Sequence, residues 1–285
     1  MEKDDIQLYK KPPNVPSTYD VISVVFFLMP TSYKKVREYV WGLKQLVDHV
    51  LNKIPKNYYL YVFHDNTIEE EGHENEELNR LVRNDIKTLM QYLDKHNRVF
   101  LFRFNFPTMR DEDNKFYHEY TFGTFVRFLP LFDYEEFQHL NTVSVLDIDI
   151  INVLKYYPTV YADQFKLIEK IPEFPVYFNS HICYDLMYWT RIKRVDKLTF
   201  LRIIAHFIGN RQRFPRKLFE DNLKKLIDGT ILLPEDAEHY RRHIEMLHDV
   251  NKNKKIKFHF GYDEYFLNAY VLPWIIKNQI NFFTI

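Results

Sequence analysis

The sequence predicts an α/β protein: an open, mostly parallel central sheet flanked by helices, with a more helical C-terminal half. Three observations predict it. Strand-like apolar runs alternate with amphipathic helical stretches through the first half. Polar residues gather directly after those runs. The chain is also rich enough in core-forming side chains to cover a sheet on both faces, at 285 residues, 46% hydrophobic and 17% aromatic. One large domain is expected over 21–285, in two halves (21–151 and 152–285), behind an N-terminal extension of residues 1–20.

After the polar, Pro-rich lead, Val21 to Leu28 is a continuous apolar, β-branched and aromatic run, the pattern of a strand buried on both faces. Pro30, Thr31 and Ser32 break it and supply an N-cap for a helix over Tyr33–Leu51, where Val36, Val40, Leu43, Val47 and Val50 recur at helical spacing. Tyr58–Phe63 is the second strand and runs into His64-Asp65-Asn66. Glu76–His96 is the second helix, with Leu78, Leu81, Ile86, Leu89 and Leu93 on one stripe.

Arg98–Arg103 is the third strand, and Tyr117–Phe132 a helix that Pro130 ends or kinks. Thr142–Leu146 is the fourth strand and leads straight into Asp147-Ile148-Asp149. The second half is less regular: strands at Val176–Phe178 and Lys257–Phe260, and helices over Asp196–Gly209, Arg216–Asp228, Glu235–Val250 and Asp263–Lys277.

Composition excludes several classes of function. Lys+Arg 39 equals Asp+Glu 39, so no global field draws the chain to a nucleic-acid backbone. The single cysteine, Cys183, builds neither an internal disulfide nor a cysteine metal site and suits a reducing compartment. The charged N-terminus lacks the apolar stretch of a signal peptide, and the longest apolar run is shorter than the ~20 residues a membrane helix needs. A cytoplasmic protein without a membrane anchor is the expectation. The six glycines are too scattered for a G-x-G-x-x-G turn or a P-loop. Scarce alanine beside abundant Asn, Lys, Ile, Tyr and Phe points to an AT-rich genome, as in a large DNA virus or a protist.

Asp147 and Asp149 are the sharpest signal. Two carboxylates just past an apolar strand repel each other and lose solvation, and a hard divalent cation offsets both costs. Such a site grips a diphosphate without a glycine loop. The plain alternative is a pair of caps or solvated turn residues.

In this setting Val145-Leu-Asp-Ile-Asp-Ile150 resembles the Asp-x-Asp motif of GT-A fold glycosyltransferases, which use nucleotide-sugar donors. The resemblance implies a GT-A, Rossmann-like sheet whose 21–151 half binds the nucleotide and whose 152–285 half binds the acceptor. It implies donor contacts from the Leu28–Ser32 loop (Pro30 and Thr31), Asp65, Arg127 and Asp147, and Mn²⁺ (or Mg²⁺) on Asp147 and Asp149. For His259 two readings stay open, a third metal ligand or a packed strand histidine.

Gly261-Tyr-Asp-Glu-Tyr-Phe-Leu-Asn-Ala-Tyr270 is the second constellation. Asp263 at a helix start is a natural cap. The run Asp-Glu-x-x-Leu-Asn-x-Tyr is also similar to the acidic segment of retaining transferases of the blood-group A/B type, where Tyr262 replaces a histidine. That similarity makes Glu264 the nucleophile or stabiliser at the anomeric carbon and Asp263 the residue that positions the acceptor. An inverting enzyme would use one of the same acids as general base.

The expected activity is therefore transfer of a hexose from a nucleoside-diphosphate sugar, UDP first, to a hydroxyl of a glycan, protein or small molecule, with oligomeric state open. Two rivals stand beside it. One is a haloacid-dehalogenase-like phosphohydrolase using Asp147 and Asp149, in which Ile151 fits poorly where Thr or Val is wanted. The other is a non-catalytic glycosyltransferase-like scaffold. His239 and His243 lack the Glu of H-E-x-x-H, and the acidic run from Glu69 to Glu77 reads as a solvated loop. Tyr184, Tyr188 and Trp189 near His181 are either core aromatics or a sugar wall, with Asn179, Ser180 and His181 as hydroxyl partners in the second case.

Overall fold

The computed structural model describes residues 5–28, 36–69, 76–109, 121–148, 151–182, 201–228, 263 and 266–285. Among the described residues eight strands form one sheet: β1 (Ile6–Lys10), β2 (Tyr19–Phe26), β3 (Tyr58–His64), β4 (Val99–Phe104), β5 (Leu140–Leu146), β6 (Val176–Ile182), β7 (Leu201–Asn210) and β8 (Phe282–Thr284). Their spatial order is β1-β4-β3-β2-β5-β7-β6-β8. β4, β3, β2 and β5 pair in parallel, as do β6 and β8, whereas β1 and β7 run against their neighbours. The expected α/β class with a mostly parallel sheet is what the chain adopts.

β2 and β3 are buried along their whole length because helices cover both faces, which explains their unbroken apolar sequences. Alternate residues feed two cores. Val21, Val25, Tyr61, Phe63 and Val145 meet helix α4 (Thr121–Val126), Phe219 of α7 (Arg216–Asp228) and the C-terminal helical segment. Ile22, Val24, Phe26, Leu60 and Leu146 meet the opposite layer. That layer holds α1 (Val36–Gln45) with its continuation Leu46–Leu51, α2 (Glu76–Leu81) running through to α3 (Lys87–Lys95), α5 (Ile151–Tyr156) and α6 (Val160–Glu169).

The C-terminal segment is a wide-turned stretch, Leu267–Val271, that becomes α8 (Leu272–Lys277). Pro273 lacks an N–H and its ring crowds the carbonyl four residues back, a local cause for the widened turn. α8 ends in a Schellman motif, with Ile280 N bonded to Ile275 O at 3.1 Å, Gln279 N to Ile276 O at 3.1 Å, and Gln279 at φ 54°.

Two expectations need correcting. Leu201–Asn210, most of it read as part of a helix over Asp196–Gly209, is strand β7. The run Leu-Arg-Ile-Ile-Ala-His-Phe-Ile fits either period, and pairing with β5 and β6 decides it. The lead also contributes a strand, because Ile6 to Lys10 completes the sheet edge against β4. On the opposite side Gly209 is a packing necessity, since a Cβ there would lie 2.3 Å from the Tyr177 ring. The helix expected over Glu235–Val250, the strand Lys257–Phe260, and Cys183, Tyr184, Tyr188, Trp189, His239 and His243 lie outside the described residues.

Candidate active site

Along the sheet the strand order reverses at β2, whose two neighbours, β3 and β5, both run parallel to it. In open α/β sheets the crevice beyond the carboxyl ends of the strands at such a reversal is the natural ligand site. Asp65, which follows β3, and Asp147, which follows β5, lie on that edge.

Asp147 directly follows β5. Its N–H extends the β5–β7 pairing by donating to His206 O at 3.1 Å, its Oδ1 accepts from Ile148 N at 3.1 Å, and its side chain is 30% exposed. Ile148 is buried and holds the turn down.

Arg127 follows α4 and is almost wholly buried. Its carbonyl accepts from Ser23 Oγ at 2.7 Å, which ties the residue to the fully buried strand β2. Its guanidinium forks between two carboxylates: Nη1 lies 3.1 Å from Asp147 Oδ1 and Nη2 2.8 Å from Asp263 Oδ2. Nη2 also approaches Ala205 O of β7 at 3.4 Å, and the group stacks 5.1 Å from the Phe128 ring. A planar, permanently charged fork suits a bridge between two carboxylates in a place where an unpaired charge would be costly. The structure thus brings together three residues singled out separately in the sequence, one of them 136 positions away from its partner.

Asp65 is completely buried. Its Oδ1 accepts from Thr67 N at 3.1 Å and from Thr67 Oγ1 at 2.5 Å, while Thr67 Oγ1 accepts from Leu28 N at 3.0 Å. This Asx-type turn fastens the end of β3 to the end of β2. Beside it, His64 Nδ1 donates to Asp65 O at 3.0 Å and Nε2 accepts from Tyr9 Oη at 2.7 Å. Burial pushes the imidazole down to about 4, so it is neutral near pH 7.

Asn179 sits within β6 and its Nδ2 donates to His206 Nε2 at 2.7 Å. Sequence reading did not single out Ser23, His206 or Asn268 as site residues. Of these, Asn268 alone stands in a motif singled out in the sequence, the run Asp-Glu-x-x-Leu-Asn-x-Tyr, where no role was given to it. Pro30, Thr31, Asp149, His259 and Glu264 lie outside the described residues, as do the side chains of Ser180 and His181.

For a divalent cation, the described part of the site offers the hard carboxylate oxygens of Asp147, a donor type that fits Mn²⁺ or Mg²⁺. Among the described residues no group of three or more His, Cys, Asp or Glu side chains is placed to hold a metal. Among them, too, no helix is long and apolar enough to cross a membrane.

No protein-family model matches the chain, and no curated protein matches its sequence. Two solved structures are loosely similar to it. One is 4-diphosphocytidyl-2C-methyl-D-erythritolsynthase from Anaerococcus prevotii, at TM-score 0.35 and 8% identity over 90% of this chain and 98% of that one. The other is mouse xyloside xylosyltransferase 1 in its apo form, at TM-score 0.34 and 12% identity over 95% of this chain and 85% of that one. Likenesses this loose do not bear on what this chain does.

Proposed function

We propose that the chain is a glycosyltransferase that moves a hexose from a nucleoside-diphosphate sugar to an acceptor hydroxyl, with UDP the first nucleotide to test. The observation that carries this reading is the Arg127 fork joining Asp147 and Asp263 at the switch point of the sheet. A sugar presents hydroxyls, which recognise fixed carboxylates and guanidinium groups, and a diphosphate presents charge beside them.

On this reading Asp147 and Asp149 hold Mn²⁺ or Mg²⁺, and the cation supplies Lewis-acid stabilisation of the charge on the departing diphosphate. Arg127, fixed by Ser23, orients Asp147 from the buried side. Asp263 accepts hydrogen bonds from sugar or acceptor hydroxyls. Glu264, next in sequence, is the carboxylate assigned to the anomeric carbon, as stabiliser in a retaining enzyme or as base in an inverting one. Pro30 and Thr31 line the donor loop, and Asp65 holds its root at Leu28 through Thr67. His259 completes the proposed metal set.

Thermal unfolding with UDP, GDP and MnCl₂ tests the proposal. Metal-dependent stabilisation by a nucleoside diphosphate is expected, and it should vanish in Asp149→Ala, with the fold intact. Hydrolysis of simple phosphate esters without any nucleotide would replace this reading with the phosphohydrolase. Indifference to every nucleotide and metal would favour the scaffold.

A further inference from the structure

β7 has an incomplete partner. β5 pairs with it from Val143↔Asn210 to Leu146↔Phe207, and the Asp147 N–H adds a last bond to His206 O. β5 gives nothing to Ile203, whose other flank is in register with Ser180 of β6. The backbone of β7 facing the crevice therefore needs partners from elsewhere. Asn268 supplies them at Ile203: its Oδ1 accepts from Ile203 N at 2.8 Å, and its Nδ2 donates to Ile203 O at 2.8 Å. One carboxamide thus does the work of a neighbouring peptide group.

The same short stretch of β7 also receives the other members of the site. Going along it, Ile203 holds Asn268, Ala205 O receives Arg127 Nη2, and His206 O receives Asp147 N. Asp263 lies five residues before Asn268 in the chain. Its carboxylate meets Arg127 Nη2, so one guanidinium nitrogen touches both Asp263 and the strand to which Asn268 is bound. A merely packed Asn would require no such coincidence of three attachments on four residues.

We infer that Asn268 is a positioning residue, which registers the C-terminal segment on the open edge of β7 so that Asp263 meets Arg127. Its bearing on transfer rests on the donor-site reading above, because only there does Asp263 touch a sugar.

The test has two arms on the full chain. The ligand-free arm follows the Nε–H resonance of Arg127 in ¹⁵N-labelled protein, assigned by its loss in Arg127→Lys. Asn268→Ala should move that resonance as Asp263→Ala does, and the double variant should add nothing. A resonance left at its wild-type position overturns the inference. Should Asn268→Ala fail to fold, Asn268→Asp keeps the acceptor for Ile203 N, loses the donor to Ile203 O, and is read in the same way.

The second arm titrates UDP and UDP-glucose by calorimetry with MnCl₂ present. Asn268→Ala should weaken UDP-glucose about tenfold more than UDP, since a misplaced contact acts on the sugar and not on the nucleotide. Equal loss for both ligands is general damage and overturns the positioning role. If the wild type binds neither, the donor-site reading has failed for these probes, while the resonance of Arg127 still decides the role of Asn268.

Discussion

The two edges of the sheet use cations in opposite ways, half-buried at one and buried at the other. At the amino ends of the strands the cations meet backbone carbonyls. Lys10 Nζ reaches Leu93 O and His96 O at the end of α3 and Val99 O at the start of β4, and Arg98 reaches Leu51 O, Pro55 O and Tyr58 O. Arg211 takes Ile168 O, Ile171 O and Phe174 O after α6, and Arg213 takes Leu140 O and Asn210 O. Burial among such neutral partners pushes the Arg213 guanidinium down to about 10. At the carboxyl ends Arg127 faces two carboxylates instead. The first arrangement closes helix ends and needs nothing further, whereas the second fixes acidic oxygens beside a crevice.

Removing the fork should have the largest effect. Arg127→Met leaves Asp147 and Asp263 facing each other in a poorly solvated place, and a loss of about 3–5 kcal/mol in urea unfolding is expected. A further Asp263→Asn change should recover part of it. A loss below 1 kcal/mol would mean that the two edges do not differ in kind.

His64 tests whether every polar group on the carboxyl edge belongs to the site. Its imidazole falls from 6.5 in the unfolded chain to about 4 in the fold, so the unfolded state binds the proton first. The resulting stability is present above pH 6.5 and is lost as pH falls towards 4, by about 3 kcal/mol at most. His64→Gln should flatten urea midpoints between pH 4 and 7, with the response to nucleotide unchanged at pH 7.5.

Arg211→Met should cost about 2 kcal/mol, because carbonyls at the end of α6 lose a charged donor. Calorimetry with UDP and Mn²⁺ should give the wild-type affinity, in contrast to Arg127→Met. The smallest effect is a gain: Gln279→Gly relieves the left-handed residue of the Schellman motif and should raise the urea midpoint by the equivalent of about 0.5–1 kcal/mol. No gain would mean that the loop tolerates Gln without strain.

How much of this was legible depends on where the information resides. Periodicity located β2, β3, β4 and β5, because strands covered on both faces write their burial into consecutive residues. β7 is ambiguous in sequence because an apolar run interrupted at Arg202 and His206 fits two periods, and the reversed pairing that selects one of them is non-local. Asp147, Arg127 and Asp263 could each be nominated by type and local setting, but their meeting is a property of sheet order. Asp65 was chosen for its place after a strand, yet its Oδ1 fastens a loop through Thr67, and the same spacing would serve either purpose. The two hydrogen bonds between Asn268 and Ile203 are not legible in the sequence, because a helical reading of this run offers no strand backbone for the amide to meet.

The cationic clamps at the lower edge carry an electrical consequence. α1, α3 and α6 end there with their carbonyl poles covered by Arg98, Lys10 and Arg211, so the opposite, electropositive poles of these helices are turned towards the upper rim. The partial positive charge of a helix amino end falls off within its first turn, so any pull on an anion there is local. Added salt should weaken such a pull on an anion that stands more than about 10 Å off.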